Sequence, residues 1–359
     1  MVERKALVLI TGGGTGGHVF PGLAAAEALR GLGARVHWLG TRAGMESRLV
    51  PAAGIPISYL RVSGVRGKNR WQQLLAPLLL FMAIIQASLL MRKLRPSCVL
   101  GTGGFVAGPG GVAAWLSRTP VVVHEQNAVA GTTNRLLARF ARRILLGLPG
   151  PFAGDQRVTL VGNPVRAAIA QMATPEQRMA ERDGALRLLV VGGSQGARIL
   201  NEVLPAALAL MAASERPRVR HQSGATEHDT CAARYRRHGI DARVDAFIDD
   251  MSDAYRWADL VVCRAGALTV SELAVAGVAS ILVPLPGAID DHQSANARWL
   301  ADAGAAQCVR QSEFTPQWLA GQLACFSRVQ LLRMAQAAQA QARPAAALDV
   351  ARVCMEVAR

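Results

Sequence analysis

Residues 7–21 read LVLITGGGTGGHVFP, an apolar run that leads into five glycines within six positions and then into helix-forming sequence. An unbroken apolar run is buried on both faces, and a glycine turn that hands it to a helix opens a parallel, doubly wound sheet. The same grammar returns at residues 188–200, LLVVGGSQGARIL. Between and after these, the runs SCVLGTGG, PVVVHEQN, RRILLGL, VTLVGN, DLVVCRAG and ASILVPLP alternate with helix-period segments. With 359 residues the chain is long enough for two domains, each with its own core. The expected fold class is therefore α/β, with two Rossmann-like doubly wound parallel-sheet domains facing a cleft. Their glycine turns belong at the carboxyl ends of the strands, where open sheets bind ligands. Residues 1–162 make the first domain and 163–343 the second, and the C-terminal helix, about 344–359, is expected to pack back on the first.

Gly12, Gly14 and Gly17 satisfy the GxGxxG dinucleotide fingerprint. A nicotinamide cofactor on that turn would need an Asp or Glu about twenty residues on, at the end of the second strand, for its ribose. The second strand, ARVHWLG, ends in Gly40 and Thr41, and the first acid beyond it is Glu46, past Arg42. The nucleotide ribose is thereby removed from this turn. What remains is a backbone that approaches a ligand closely at a helix N-terminus, with His18 directly behind it.

The formal charge is +15, and between Glu46 and Asp155 thirteen Arg and Lys stand against the single acid Glu125. A field of that sign attracts nucleic acid, anionic lipid or phosphorylated substrates. No aromatic-rich RNA-binding stretch or basic recognition helix accompanies it, so nucleic acid is not expected as a partner. Residues 74–91, LLAPLLLFMAIIQASLLM, fall in this basic interval and stand at the lower edge of spanning length. A span, a buried core helix and a helix whose exposed face touches a bilayer all fit the composition. Pro77, Gln86, Ser88 and positive flanks speak against the span, and the basic surroundings favour an anionic membrane surface. The opening run ends in a glycine turn rather than a cleavage site and reads as a strand, not a signal peptide. Six cysteines show no CxxC pair and no His at zinc spacing, and read as reduced thiols.

The strand exits carry the remaining candidates. GTGGFVAGPGG, residues 101–111, repeats the glycine turn, and neither turn has the Lys-Ser/Thr pair of a Walker loop. The exit of PVVV presents His124, Glu125, Gln126 and Asn127. GGSQG, residues 192–196, offers backbone N–H groups at a helix start, suited to a phosphate. In CRAGALTVSELAVAG, residues 263–277, Gly266 allows a turn, and Ala267, Leu268 and Thr269 begin a helix whose N–H groups suit a diphosphate. Glu272 falls about one turn further in, where a carboxylate accepts both hydroxyls of a ribose. GAIDDHQSANA clusters Asp291, His292, Gln293 and Asn296 at a loop-to-helix start, where Asp291 and Ser294 also suit helix capping. Packing, capping or a solvated loop is the plainer alternative for each; position at a strand exit favours a ligand.

In order and spacing, GGTGGHVFP, GTGGFVAGPGG, HEQNAVAG, GNPVR, GGSQGAR, CRAGALTVSE and DDHQSANA resemble the GT-B N-acetylglucosaminyltransferases that convert lipid I to lipid II in bacterial peptidoglycan synthesis. The resemblance runs from about Lys5 to Ala305. It implies a GT-B type fold, with the acceptor lipid on the first domain and UDP-N-acetylglucosamine mainly on the second. It implies inverting transfer to the 4-hydroxyl of the muramoyl sugar of undecaprenyl-linked lipid I, with no cofactor and no metal. It also implies a peripheral place on the cytoplasmic face of the inner membrane and cell-wall synthesis proteins as partners.

Carried over residue by residue, Ser194 and the helix start Ala267, Leu268 and Thr269 hold the diphosphate, with Val270 and Ser271 on the same donor surface. Glu272 takes the ribose hydroxyls, the backbone of Ile248 the uracil and Gln293 the sugar hydroxyls. Thr15, Gly16, Gly17, Asn127 and Arg166 complete the donor side. His18, His124 and Glu125 lie toward the acceptor, with His18 the candidate base. One departure is Ala130, where the family usually has Pro, and it is expected to loosen that loop. Two rivals remain. A UDP-sugar epimerase on the same fold would share the donor site, and a nicotinamide oxidoreductase would lack its acid.

Overall fold

The first apolar run becomes strand β1, Leu7–Gly12, every residue of which is buried. The computed structural model describes residues 5–62, 76–193 and 196–358. Contacts along the chain divide it into two units, one built from residues up to Arg166 plus the C-terminal segment from Arg343, the other from Ala167–Ala342. In the first unit β1 is joined by β2 (Arg35–Gly40), β3 (Ile57–Tyr59), β4 (Cys98–Gly103), β5 (Val121–Glu125), β6 (Arg143–Leu146) and β7 (Val158–Leu160). These form one sheet in the order β3-β2-β1-β4-β5-β6-β7, with every pairing parallel. In the second unit β8 (Arg187–Val191), β9 (Arg218–Gln222), β10 (Ala242–Asp245), β11 (Leu260–Cys263), β12 (Ala279–Leu282) and β13 (Ala306–Cys308) form a second parallel sheet. Its order is β10-β9-β8-β11-β12-β13.

Each sheet reverses its winding once, and an open α/β sheet binds ligands at that switch point. In the first sheet it lies between β1 and β4, whose exits are the two glycine turns. In the second it lies between β8 and β11, whose exits are GGSQG and RAGALT. Alternation along β1 serves two cores: Val8 and Ile10 pack with Trp38, Leu100, Val350 and Cys354 on one face. Leu9 packs with Leu39, Ala83, Met91, Val99 and Leu137 on the other. The C-terminal helix Ala346–Val357 lies against the helix Gly16–Gly31, in the first unit.

The apolar segment forms the helix Ala76–Leu94. By length and composition this helix is able to cross a membrane. Only Ala83, Ala87 and Met91 along it are buried, a stripe at four-residue spacing that packs on the sheet. Leu78, Leu79, Phe81, Met82, Ile85 and Leu89 are exposed, so the buried-core alternative for this segment is overturned.

Trp38 couples this core to the site. Its indole lies against Gly22, where a Cβ would collide with the ring, and its Nε1–H donates to the Gly12 carbonyl at 2.9 Å. Trp38→Ala should lower the unfolding free energy by about 3–5 kcal/mol. Trp38→Phe, which keeps most of the packing but removes the donor, should lower it by about 1–3 kcal/mol. Urea unfolding measures both, and an unaltered midpoint in the Phe variant would show that the hydrogen bond contributes nothing.

Candidate active site

In the first unit the two glycine turns press against each other. A Cβ on Gly104 would collide with the Gly13 carbonyl, and one on Gly12 with the Thr102 hydroxyl. Gly103 and Gly104 also have φ of +100° and +79°, which favours glycine independently of the crowding. Beneath the first turn lies the Glu46 carboxylate, fully buried. It accepts the Gly14 N–H at 3.0 Å and the N–H and hydroxyl of Thr41 at 2.9 and 2.8 Å. The acid that follows the second strand thus anchors the turn from within.

Thr15, in extended conformation, is the N-cap of the helix Gly16–Gly31, and its carbonyl accepts the N–H groups of His18 and Val19. Phe20 packs on Gly16 and lies under the Arg166 guanidinium, 5.3 Å from ring centroid to Cζ. Thr15, Gly16, Gly17, His18 and Arg166 therefore gather at one helix start.

The exit of β5 is turned inward. His124, Glu125 and Gln126 are each 1% exposed. Glu125 accepts four hydrogen bonds, from the N–H and Nδ2 of Asn127, from the Gly131 N–H and from Asn134 Nδ2. The loop 124–131 is thus tied at both ends to one carboxylate, which holds it despite Ala130. His124 Nε2–H donates to the Gly162 carbonyl at 2.9 Å. Burial lowers the His124 pKa, against the Gly162 bond and the nearby Glu125 charge, which raise it, and the ring stays neutral near pH 7. His124 and Glu125, for which the resemblance implies an acceptor-side place, have their polar atoms engaged beneath the surface and organise the loop from there. The GNPVR motif completes it: Asn163 Nδ2 donates to the Gln126 carbonyl at 3.0 Å.

In the second unit Ser194 lies outside the described residues. Around it, Gly196 has φ of +77° and a Cβ there would collide with the Ser223 carbonyl. The Gln222 carboxamide donates to the Gly193 carbonyl at 2.8 Å and accepts the Ile248 N–H at 3.1 Å. Behind it His221 sits between the Tyr235 hydroxyl and Asn201 Oδ1, at 2.9 and 3.0 Å, its pKa driven down to about 3 by burial. The stretch HQSG, residues 221–224, was not singled out in the sequence. Its signal there is three polar residues in a row at a strand end, the kind of cluster that marks HEQN.

The helix Ala267–Ala276 follows Gly266 with no side-chain cap, the arrangement that leaves first-turn N–H groups to meet an anion. Its other end is closed by Gly277 in the left-handed region and by Arg178, which donates to the Ala276 and Gly277 carbonyls at 2.7 and 2.5 Å. A cation at that end complements the helix dipole, although burial lowers the Arg178 pKa to about 10. Glu272 is buried, with Oε2 accepting from the Tyr255 hydroxyl at 3.1 Å. Ser271 Oγ donates back to the Ala267 carbonyl. Asn296 Nδ2 donates to the Ala265 carbonyl at 3.1 Å, and Gln293 Oε1 accepts the Leu285 N–H at 3.0 Å. Residues 267–272 and the start of the helix His292–Asp302 thus meet around the exits of β11 and β12. Among the described residues no group of three or more His, Cys, Asp or Glu side chains stands together to hold a metal ion.

Two doubly wound sheets, each with glycine turns at its switch point and one with an uncapped helix start beside a buried acid, define a GT-B glycosyltransferase fold. Residues 8–146 match the glycosyltransferase family 28 N-terminal domain and residues 187–350 its C-terminal domain, and the chain belongs to that family. It is 53% identical over 353 residues to the UDP-N-acetylglucosamine–N-acetylmuramyl-(pentapeptide) pyrophosphoryl-undecaprenol N-acetylglucosamine transferase of Marinobacter nauticus, covering 98% of this chain and 97% of that protein. It is 54% identical over 356 residues to the protein of the same name from Alkalilimnicola ehrlichii, covering 98% and 99%. The crystal structure of Acinetobacter baumannii MurG is similar with a TM-score of 0.85 and 40% identity, over 98% of this chain and 99% of that one. A UDP-N-acetylglucosamine 2-epimerase structure matches at 12% identity with a TM-score of 0.62, over 96% of this chain and 94% of that one. That likeness shows the fold alone.

Glu46→Ala would leave buried donors at Gly14 and Thr41 without their acceptor and should lower stability by about 2–4 kcal/mol. Amide exchange at Gly14 should accelerate with it. Unchanged exchange there would show that the carboxylate does not hold the turn.

Proposed function

We propose that the chain transfers N-acetylglucosamine from UDP-N-acetylglucosamine to the 4-hydroxyl of the muramoyl sugar of lipid I, forming lipid II and UDP. The observation that carries this is identity of about half, over nearly the whole chain, to relatives named for that transfer. The donor chemistry falls to the second unit. The N–H groups at Ala267, Leu268 and Thr269 meet the diphosphate, a role shared with Ser194, and Val270 and Ser271 belong to the same donor surface. Glu272, one oxygen steadied by Tyr255, accepts the ribose hydroxyls. The Ile248 backbone takes the uracil and Gln293 the sugar hydroxyls. From the first unit, Thr15, Gly16, Gly17, Asn127 and Arg166 contribute to the donor side and His18 serves the acceptor.

The step is one in-line displacement. The acceptor oxygen bonds to C1 as the C1–diphosphate oxygen bond breaks, which inverts the anomeric centre. The hydroxyl proton passes to His18, and the charge that grows on UDP meets the helix start. Transfer of labelled sugar to lipid I or a short-chain analogue tests this directly. UDP should raise the melting temperature and NAD should not; the opposite pattern overturns the reading. Glu272→Ala should raise KM for the donor roughly tenfold or more. His18→Ala should cut turnover by about 10²–10⁴ at saturating substrates, and near-normal turnover would remove His18 as the base.

We infer in addition that the chain works peripherally at the cytoplasmic face of the inner membrane. The exposed apolar face of the helix Ala76–Leu94, extended by exposed Trp115 and Leu116, supports this, as does the excess of Arg and Lys between Glu46 and Asp155. Packing of Ala83, Ala87 and Met91 in the core argues for a helix lying on the bilayer rather than crossing it. Binding to anionic liposomes should fall with added salt and in Leu79→Asp and Phe81→Asp. Indifference to both would leave this face without a membrane role.

A further inference from the structure

We propose that Gln126 is a positioning residue that fixes the tautomer of His18, holding its proton on Nδ1 and its lone pair on Nε2, the atom that receives the acceptor proton. The identity of that receiving atom rests on His18 being the base; the tautomer itself does not.

The argument runs through the direction of each hydrogen bond. The Gln126 side chain is buried, and its Nε2 lies 2.8 Å from the Thr102 carbonyl and 3.3 Å from that of His124. Carbonyl oxygens only accept, so the NH2 end faces them and the orientation of the amide is settled by its partners. Oε1 then faces His18 Nδ1 at 3.3 Å. An amide oxygen likewise only accepts, so Nδ1 carries the hydrogen and a neutral ring keeps its lone pair on Nε2.

His124 obeys the same logic. Its Nε2 meets the Gly162 carbonyl at 2.9 Å and must carry a hydrogen, which leaves Nδ1 to accept from Gln126 Nε2 at 3.1 Å. A second proton on His124 would set two donors face to face at Nδ1, and burial keeps that proton off. The chain therefore has one sense throughout: His18 Nδ1–H to Gln126 Oε1, Gln126 Nε2–H to His124 Nδ1, His124 Nε2–H to the Gly162 carbonyl. Reversal at any link pairs two donors or two acceptors.

Geometry holds the ends of this chain. A Cβ on Gly103 would stand 2.8 Å from His18 Nδ1, so the ring lies directly on the second glycine turn. Asn163 fixes the Gln126 backbone carbonyl at 3.0 Å. The 3.3 Å separation is long for such a bond; it becomes charge-assisted, and shorter, once His18 takes a proton on Nε2. Gln126 thus serves His18 as the carboxylate serves the histidine of a serine hydrolase triad, by orientation rather than by taking the proton.

The test uses the full chain labelled with [15N]histidine, in long-range 1H–15N correlation spectra recorded above the imidazole titration range. His18→Gln identifies the His18 signals by their loss, and His124→Gln those of His124. The expected result is the Nδ1–H tautomer at His18 and the Nε2–H tautomer at His124. A His18 ring protonated on Nε2 overturns the proposal. Gln126→Met should release His18 to a mixture of tautomers and cut turnover roughly ten- to a hundredfold with the KM for UDP-N-acetylglucosamine unchanged. Gln126→Glu retains an acceptor toward Nδ1 and should keep the wild-type tautomer. Unchanged turnover and tautomer in the Met variant would overturn the proposal, with stabilisation by UDP showing that each variant is folded. If the wild-type chain transfers no sugar, the transferase reading fails, while the wild-type spectrum still decides the tautomer.

Discussion

Backbone meets backbone where Gly104 touches the Gly13 carbonyl, and most of the first unit's site follows from that contact. The two turns leave β1 and β4 on either side of the switch point, and only residues without side chains let them close on each other. Closure buries the underside of the turns, whose N–H groups must then find acceptors. Glu46 answers for Gly14 and Thr41, and Trp38 answers from the donor side for the Gly12 carbonyl. A buried carboxylate costs several kcal/mol unless well hydrogen-bonded, on the order of the whole stability margin of a domain. Three donors converge on Glu46, so the acid and the turn require each other.

The second unit solves the same crowding with neutral groups. Gly196 lies on the Ser223 carbonyl, and Gln222, His221 and Asn201 fill the space behind. His221 is held neutral by burial. The difference has an electrostatic consequence. An ionised acid beneath a turn repels an anion above it and occupies an N–H that the anion would use. Glu46 occupies the Gly14 N–H beneath the first unit's turn, whereas Gly193 and Gly196 of the second unit are backed by the Gln222 carboxamide and the neutral His221 imidazole. The resemblance of the first turn to a dinucleotide fingerprint thus reflects crowding between strand exits.

That distinction marks how far the sequence could be read. Unbroken apolar runs, glycine turns and the uncapped start at Ala267 are local, and they place the sheets, the switch points and the helix start without any tertiary information. The fate of single polar side chains is not local. His124 finds its acceptor 38 residues away at Gly162, and Gly14 finds Glu46 at a distance of 32. A polar cluster at a strand exit reads the same whether it faces solvent or folds under its own loop, so the burial of His124, Glu125 and Gln222 is not legible in the sequence. The apolar helix shows the converse: Ala83, Ala87 and Met91 lie four residues apart with larger apolar residues around them. A repeat of one residue per turn marks the face that packs, and at Ala83 and Ala87 the small side chains let it pack closely, a signal already present in the sequence.

Position 126 illustrates why the chemistry leaves little choice of residue. The group there must donate to the Thr102 carbonyl and His124 Nδ1 while accepting from His18. Among uncharged side chains of that reach, a carboxamide does both at once. A carboxylate would accept from His18 more strongly, but it would turn an oxygen toward the Thr102 carbonyl. It would also stand in sequence next to Glu125, itself buried and satisfied by four donors. Two neighbouring buried carboxylates raise each other's pKa until one holds a proton. An amide avoids that competition and leaves both Glu125 oxygens to accept from the loop, so the carboxylate that shapes the loop and the dipole that orients His18 remain separate groups.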